Sequence, residues 1–376
     1  MKFLHTADWQ IGMKAVFAGK AGPRVREARL EAARQIVEEA NRRGVEFLVL
    51  AGDTFEDNGV DRALVQKVAD LLARFNGPAF VIPGNHDPLV PGSVWEHAAW
   101  KENGRVRVLT EPKPLEVPGG TLYPCPVVAR HSAKDPTAWI QARDDKGIRV
   151  GLAHGTVEGI RQDEPDYPVP RDAPDRAGLD YLALGHWHST AVYPDASGAV
   201  RLAYSGTPEP TGFGERASGR VLMVEIDGHG APPSATEIRT SRLHWVSLAE
   251  ELSGDGDLVR VRKRIEALEA PHETLLALRL SGLLSAGERA ELERLQEVVG
   301  SRFLFGNLDL VRLRPAPGDE RWVEELPDGF LREAAGRLRD WSHPLFAGPR
   351  PEGASPEVAA RALLELCALA QKEAPA

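Results

Sequence analysis

The sequence predicts an α/β domain, followed by a small α+β domain and a C-terminal helical extension. Three observations lead to this prediction. Apolar strand-like runs alternate with helical stretches over the first 240 residues, the pattern changes after that point, and Pro and Gly punctuate the chain after residue 315. We therefore place the domains at 1–240, 241–315 and 316–376.

The first domain shows the alternation most clearly. Residues 24–43 have a helical pattern that Gly44 ends, and Asp61 is the expected N-cap of a second helix. The run 45–50 is continuously apolar, which is typical of a strand buried on both faces. The other predicted strands are 3–7, 79–83, 148–153, 181–184, 200–204 and 219–226.

The later domains carry their own boundary signals. Ser285 and Glu288 have the spacing of a capping box, and Ser355 followed by Pro356 is a typical helix start. Residues 315, 317, 318, 327 and 329 are Pro or Gly and predict a linker. The predicted helices are 258–268, 285–299, 330–341 and 355–372, and the predicted strands are 274–280 and 303–313.

Composition limits the function classes. The formal net charge of −9 argues against a chain coated in basic surface, although a local basic groove is compatible with it. Two cysteines are too few for a disulfide framework or a thiolate metal site. There is no signal-peptide pattern and no apolar run near the roughly 20 residues that span a bilayer, so we expect a cytoplasmic protein without a membrane partner.

Polar side chains follow five of the predicted strands. Because ligands bind at the carboxyl ends of strands in open α/β sheets, these groups are expected to share one crevice. Asp8, Asp53 or His154 alone is more commonly a turn, cap or packed residue, whereas the segments 84–87 and 185–188 each favour a metal site, and the five together favour it strongly. Carboxylate, amide and imidazole ligands suit Mn²⁺ or Fe²⁺, with Zn²⁺ and Mg²⁺ as alternatives. The groups are Asp8 and Gln10, Asp53, Asn85 to Asp87, His154, and His186 with His188.

This series resembles the calcineurin-like metallophosphoesterase superfamily, whose pattern is D-x-H, G-D, G-N-H-D/E, H and G-H-x-H. Within it, the chain is most similar to the SbcD-type DNA repair nucleases of SbcCD complexes. Residues 4–9 (LHTADW), 51–55 (AGDTF) and 204–209 (YSGTPE) carry the narrower likeness. The resemblance implies a β-sandwich flanked by helices, with a small α+β cap domain and a C-terminal helical extension.

The resemblance also implies two divalent metal ions with Asp53 between them. The first ion would be held by Asp8, Asp53 and His188, and the second by Asp53, Asn85, His154 and His186. His86 would protonate the leaving oxygen or steady the phosphate charge, and Asp87 would orient His86 through a hydrogen bond.

Gln10 departs from the family pattern, which has histidine at that position. A glutamine oxygen is a neutral, hard ligand, so the first site would be weaker, would prefer Mn²⁺ or Mg²⁺, or would fill only when substrate is bound. Alternatively, Gln10 binds no metal and water takes its place.

The resemblance implies a DNA exo- and endonuclease in break repair or end processing, typically a homodimer with an SbcC-like coiled-coil ATPase of the ABC type. The alternatives are a phosphodiesterase or phosphatase for small phosphoesters and a catalytically silent scaffold. The residues 260–264 supply candidate DNA-facing charges, or simply a solvated helix face. Apolar faces of the C-terminal helices either dock a partner or pack on the body; they comprise Leu331, Leu338 and Trp341, and Val358, Leu363, Leu366 and Leu369.

Overall fold

A computed structural model describes residues 1–102, 104–142, 146–159, 166–254, 256–315 and 322–373. The chain forms two compact units, Met1–His244 and Trp245–Ala376. The three-domain division expected from the sequence is finer than this and stays a prediction. Of the predicted linker, Pro317 and Gly318 lie outside the described residues.

The first unit is built mainly from strands. Its helices are α1 (Gly22–Arg43), α2 (Arg62–Leu72), α3 (Ala99–Glu102) and α4 (Ala173–Ala177). Its strands are β1 (Lys2–Thr6), β2 (Phe47–Ala51), β3 (Ala79–Ile82), β4 (Val106–Val108), β5 (Leu115–Val117), β6 (Gly120–Pro124), β7 (Ile148–His154), β8 (Tyr181–Gly185), β9 (Ala191–Pro194), β10 (Val200–Tyr204), β11 (Arg220–Glu225) and β12 (Ser234–Arg239).

These strands form two sheets with the orders β12-β11-β1-β2-β3-β4 and β5-β6-β7-β8-β10-β9. Strands β1 to β4 are parallel to one another, and so are β6, β7, β8 and β10. Antiparallel strands close the ends: β11 and β12 in the first sheet, β5 and β9 in the second. The expected α/β sandwich flanked by helices is confirmed.

Aromatic and branched side chains fill the space between the sheets. Phe3 stacks on Phe47 at 4.8 Å between ring centroids and meets the edge of Tyr181 at 5.8 Å. Along β1 the alternate residue Leu4 faces the opposite way and joins the core formed with the helices. Because side chains alternate along a strand, one face of each sheet packs on the other sheet and the opposite face packs on helices.

The helices cover the outer faces of the sandwich. Small residues of α1, including Ala33 and Ala40, pack with Val65 and Val68 of α2 over the first sheet. The predicted cap of α2 is confirmed, because the Asp61 carboxylate accepts a hydrogen bond from the Ala63 amide at 2.7 Å. On the second sheet the short helix α4 packs in the same way.

His5 is fully buried between the two sheets. Its Nδ1 lies 3.0 Å from the Tyr181 hydroxyl and its Nε2 lies 3.1 Å from the Leu184 carbonyl oxygen. Burial disfavours the charged imidazole and lowers the pKa of His5 to about 3. His5 therefore has a structural role inside the sandwich.

His5 should therefore make the folded state sensitive to acid. The unfolded chain binds a proton at His5 near pH 6.5, whereas the folded chain binds it only near pH 3. The contribution of neutral His5 to stability is therefore complete above pH 6.5 and is lost as the pH falls. Between pH 7.0 and 5.5, His5→Gln should remove about 1 kcal/mol of the pH-dependent change in the free energy of unfolding, measured in urea. His272→Gln, at an exposed position, is the control variant; equal slopes in all three proteins would contradict the assignment.

The second unit contains a three-stranded sheet and helices. Its strands, in the order β13-β14-β15, are β13 (His244–Leu252), β14 (Thr274–Leu284) and β15 (Phe305–Pro315). Its helices are α5 (Asp257–Glu266), α6 (Arg289–Arg302), α7 (Trp322–Glu325), α8 (Phe330–Ser342) and α9 (Pro356–Glu373). The apolar sides of α5 and α6 pack on this sheet.

One predicted helix start in this unit is wrong. Residues Ala286–Glu288 form a 3-10 turn before α6, and the Glu288 carboxylate accepts a hydrogen bond from the Gly256 amide at 3.1 Å rather than completing a capping box. That contact joins segments 32 residues apart, so local spacing does not reveal it. The Ser355 start is confirmed, since its hydroxyl accepts from the Val358 amide at 3.3 Å.

In the described part of the chain, no helix combines the length and apolar character needed to cross a bilayer.

Candidate metal centre

The predicted site residues come from strands of both sheets. Loops after β1, β2 and β3 carry Asp8, Asp53 and Asn85, whereas His154 ends β7 and His186 follows β8. These groups come together because the two sheets face each other. The carboxyl edge of a single sheet does not supply them all.

The loops are fixed to one another by backbone hydrogen bonds. The Asp8 amide donates to the Gly52 carbonyl at 3.1 Å, and the Gln10 amide donates to the Asp53 carbonyl at 3.1 Å. Asp8, Gln10, Asp53 and His186 all have positive φ angles, of 54°, 48°, 51° and 105°. Such angles cost non-glycine residues on the order of 1–3 kcal/mol, and their concentration here is typical of a functional site.

Asp53 lies at the centre of the cluster. One ligand atom each from Asp8, Asp53 and His154 fall within 4.8 Å of one another, and all three residues are buried. Asp53 Oδ1 also accepts a hydrogen bond from the His86 amide at 2.9 Å, while Oδ2 accepts from Gln10 Nε2 at 3.1 Å. Both carboxylate oxygens therefore face the other groups of the site.

Asn85 connects the two histidines of the second predicted ligand set. Its Oδ1 lies 2.7 Å from His154 Nε2 and 3.1 Å from His186 Nδ1. His154 Nδ1 lies 2.8 Å from the Ala51 carbonyl oxygen, which can only accept a hydrogen bond. The Nδ1 proton of His154 is thereby committed, and Nε2 is the nitrogen that faces the cluster.

The charges of the cluster depend on each other. Burial opposes ionisation of Asp53, but the positive charge of His154 and its hydrogen bond lower the Asp53 pKa. In turn, although burial disfavours a charged His154, Asp53 and Asp8 raise the His154 pKa. Burial raises the pKa of Asp8 to about 6. The buried carboxylates of Asp53 and Asp8 therefore favour a positive charge at this position.

Gln10 provides a direct test of whether a metal fits. Its Oε1 is buried and, among the described residues, has no hydrogen-bond partner. Leaving a buried acceptor unsatisfied costs about 1–3 kcal/mol. This oxygen belongs to a side chain that contacts the buried Asp53 carboxylate, and a cation could satisfy it, so the residues present fit a divalent metal ion.

Sequence reasoning missed the partner of His188. His188 Nδ1 lies 2.9 Å from Thr211 Oγ1 and 3.0 Å from Glu215 Oε1. Burial opposes its protonation, but the Glu215 carboxylate, and after it Asp8, raise the pKa of His188. A carboxylate that holds one imidazole nitrogen fixes the other nitrogen for metal binding, as in many metalloproteins.

We expect Glu215→Gln to weaken metal binding at the first site about 10- to 100-fold. Glutamine keeps the size of the side chain but removes the charge that orients His188. Calorimetric titration with Mn²⁺ measures the loss. The matched control is Glu225→Gln, because Glu225 pairs with Lys2 at 3.5 Å. Equal affinities in the two variants would contradict this role.

The predicted hydrogen bond from Asp87 to His86 is wrong. The buried Asp87 carboxylate accepts from the Gly84 amide at 2.7 Å and the Phe55 amide at 2.9 Å, so it fixes the loop backbone. His86 Nδ1 instead lies 3.0 Å from the Glu56 carbonyl oxygen. Burial and the charge of Asp53 both raise the pKa of Asp87.

Comparison with known proteins agrees with this geometry. The family model for calcineurin-like phosphoesterases matches residues 1–190, which is half of the chain, and the chain belongs to this family. Members bind divalent metals and hydrolyse phosphoesters, and the candidate metal site fits that chemistry.

Individual relatives are more distant. The chain is 28% identical over 245 residues to YhaO, an uncharacterized metallophosphoesterase of Bacillus subtilis, and the match covers 60% of this chain and 57% of YhaO. Among solved structures, TT1561 of Thermus thermophilus is 10% identical with a TM-score of 0.41, covering 64% of this chain and 98% of TT1561. Zinc-bound Vps29 of Entamoeba histolytica is 13% identical with a TM-score of 0.31, covering 64% of this chain and all of Vps29.

Proposed function

We propose that this protein is a two-metal phosphodiester hydrolase that acts on DNA. The observation that carries the proposal is the buried cluster around Asp53, in which carboxylate, amide and imidazole ligand atoms converge. Asp8, Asp53, His188 and Gln10 would hold one ion, and Asp53, Asn85, His154 and His186 the other. Mn²⁺ is the proposed metal because this mixed oxygen and nitrogen set suits it.

Two bound metal ions would supply Lewis-acid activation of the phosphoryl group and of the attacking water. The protein supplies position and a proton. His86 Nδ1 faces the Glu56 carbonyl and must carry a hydrogen there, so Nε2 can give a proton to the leaving oxygen only when the ring is the doubly protonated imidazolium. The His86 amide donates to Asp53 Oδ1, so the same residue also fixes the proposed bridging carboxylate.

DNA is proposed as the substrate from the motif resemblance and from the second unit, which exceeds what a small phosphoester requires. The arginines of α5 do not add support. Arg260 pairs with Glu250 at 3.0 Å, Arg262 with Glu291, and Arg264 with Glu250. Surface arginines that already pair with carboxylates are less available to bind phosphates. This observation favours the solvated-face interpretation and keeps a small nucleotide phosphodiester as the second candidate.

Degradation of linear DNA in Mn²⁺, with and without EDTA, tests the proposal. His86→Ala should lower the rate about 100- to 10,000-fold, the usual contribution of general acid catalysis, while metal binding persists. The control is His131→Ala, because His131 is exposed and pairs with Asp166 at 3.2 Å. Hydrolysis of bis-p-nitrophenyl phosphate without any DNA degradation would move the assignment to the second candidate, and inactivity without metal binding would favour a scaffold.

A coiled-coil ATPase of the SbcC kind and a second copy of the chain are proposed partners. Support for a docking surface comes from the C-terminal helices. Leu363 is buried and Leu338 and Leu366 are half-buried in the contact between α8 and α9. Leu331, Val358 and Leu369 remain 44%, 55% and 58% exposed. Co-purification with such an ATPase should therefore be lost in a Leu331→Asp, Val358→Asp double variant that still folds.

A further inference from the structure

A cleft of about 400 Å³ opens directly beside the proposed first metal site. His186 and His188 line it together with Trp187, and Phe213 and Glu215 belong to its lining as well. Cavities of roughly 300–1,000 Å³ are the usual size of small-molecule sites. The space is therefore sufficient for a group of nucleoside size next to the reacting phosphate.

Trp187 has the properties of a rigid platform in this cleft. It is half-buried and packs against the core cluster on the outer face of the second sheet. Trp95 and Trp100, by contrast, donate their indole N–H groups to the backbone carbonyls of Asp87 and Val94. Within the described ranges no acceptor is found for Trp187 Nε1, although its histidine neighbours are both engaged. Its ring is thus fixed by packing while its polar edge stays available.

The loop 211–215 brings a second aromatic ring to the cleft. Phe213 is half-buried and lies between Gly212 and Gly214, the latter at φ 93°. Thr211 and Glu215 anchor this loop, since the Thr211 amide donates to Glu215 Oε2 at 3.0 Å and both side chains contact His188. These contacts hold the loop that carries Phe213 beside His188.

We propose that Trp187 and Phe213 form a wall that receives an aromatic base of the substrate on the side of the scissile phosphate. The inference rests on the proposed function and names the substrate class more closely: phosphodiesters of nucleosides rather than of alcohols without a base. A base stacks on an aromatic ring whatever its identity, so the wall would give preference for nucleotides without sequence preference.

Two chromogenic phosphodiesters with the same leaving group test the wall. Thymidine 5′-(4-nitrophenyl) phosphate carries a base, and ethyl 4-nitrophenyl phosphate does not. In Mn²⁺, Trp187→Leu should raise KM for the thymidine ester about 5- to 100-fold, with kcat and the ethyl ester little changed. The matched control is Trp139→Leu, because Trp139 packs on the same core cluster but lies outside the cleft lining.

Three results would overturn the wall: no effect of Trp187→Leu, an equal loss on both esters, or the same loss in Trp139→Leu. If the wild-type protein hydrolyses neither ester, the proposed function fails. The wall is then tested by nucleotide binding instead of by kinetics. Calorimetric titration with thymidine 5′-monophosphate in Mn²⁺ should then show binding that Trp187→Leu loses. Absence of binding to the wild-type protein would refute the wall as well.

Discussion

Asp53→Asn is expected to lower phosphodiester hydrolysis about a thousandfold or more, because metal-ion charge stabilisation supplies several kcal/mol. Asparagine keeps the size of the side chain and leaves the hydrogen bond from the His86 amide possible. It removes the anionic charge that lies within 4.8 Å of ligand atoms from both Asp8 and His154. Initial rates on bis-p-nitrophenyl phosphate in saturating Mn²⁺ measure the loss.

The same variant should lose its thermal response to metal. At a hundredfold excess over Kd, Mn²⁺ should raise the wild-type melting temperature by roughly 5–10 °C, and Asp53→Asn should show little of this rise. Asp195→Asn is the matched control, since Asp195 holds a turn with Ser197 and Arg201 away from the cluster. Near-normal activity in Asp53→Asn would remove Asp53 from the centre of the site.

Gly84→Ala is expected to cost about a hundredfold in activity, because displacements near 1 Å carry penalties of that size. A Cβ at position 84 would lie 2.1 Å from Asp53 Oδ1 and 2.3 Å from the Asp53 backbone nitrogen. The backbone at the ends of β2 and β3 cannot shift easily, because both strands belong to the buried core. The methyl group must therefore push the carboxylate out of position, at a further cost of about 1–3 kcal/mol in stability.

Gly228→Ala is the control for this substitution, because a Cβ there meets nothing within 4 Å. Both variants should be compared by steady-state kinetics and by urea unfolding, so that lost activity is separated from lost folding. A Gly84→Ala protein that retains full activity would show that the close approach of β3 to Asp53 is not required.

The convergence of Asp8, Asp53 and His154 could be predicted because the signal is local. Each follows an apolar run that is itself a strand, and a polar residue at such a position, often after glycine, is visible within a few residues. The cap of α2 at Asp61 and the start of α9 at Ser355 were predictable for the same reason.

What could not be predicted depends on contacts far apart in the chain. Strand β1 pairs with β11, as in the pairing of Lys2 with Glu225, and no sequence pattern near either strand predicts this pairing. Glu215 joins the site only because the loop after β10 folds back onto His188. The three-residue strands β4 and β5 lack the length that makes periodicity visible.

Two local expectations were misleading for physical reasons. Asp87 is adjacent to His86, but turn carboxylates readily accept backbone amides, and those of Gly84 and Phe55 occupy it. The arginine run of α5 gives the impression of a basic surface, yet acidic residues from other segments, Glu250 and Glu291, neutralise much of it. Charge density along a sequence differs from charge density on the folded surface.

Asp53 is proposed to be shared by two metal ions. Native mass spectrometry of the Mn²⁺-loaded chain, supported by calorimetric titration, tests this proposal most directly. The wild-type protein should bind two manganese ions per chain, and Asp53→Asn should bind at most one. A single ion in the wild-type protein, or two in Asp53→Asn with unchanged affinity, would contradict the shared centre.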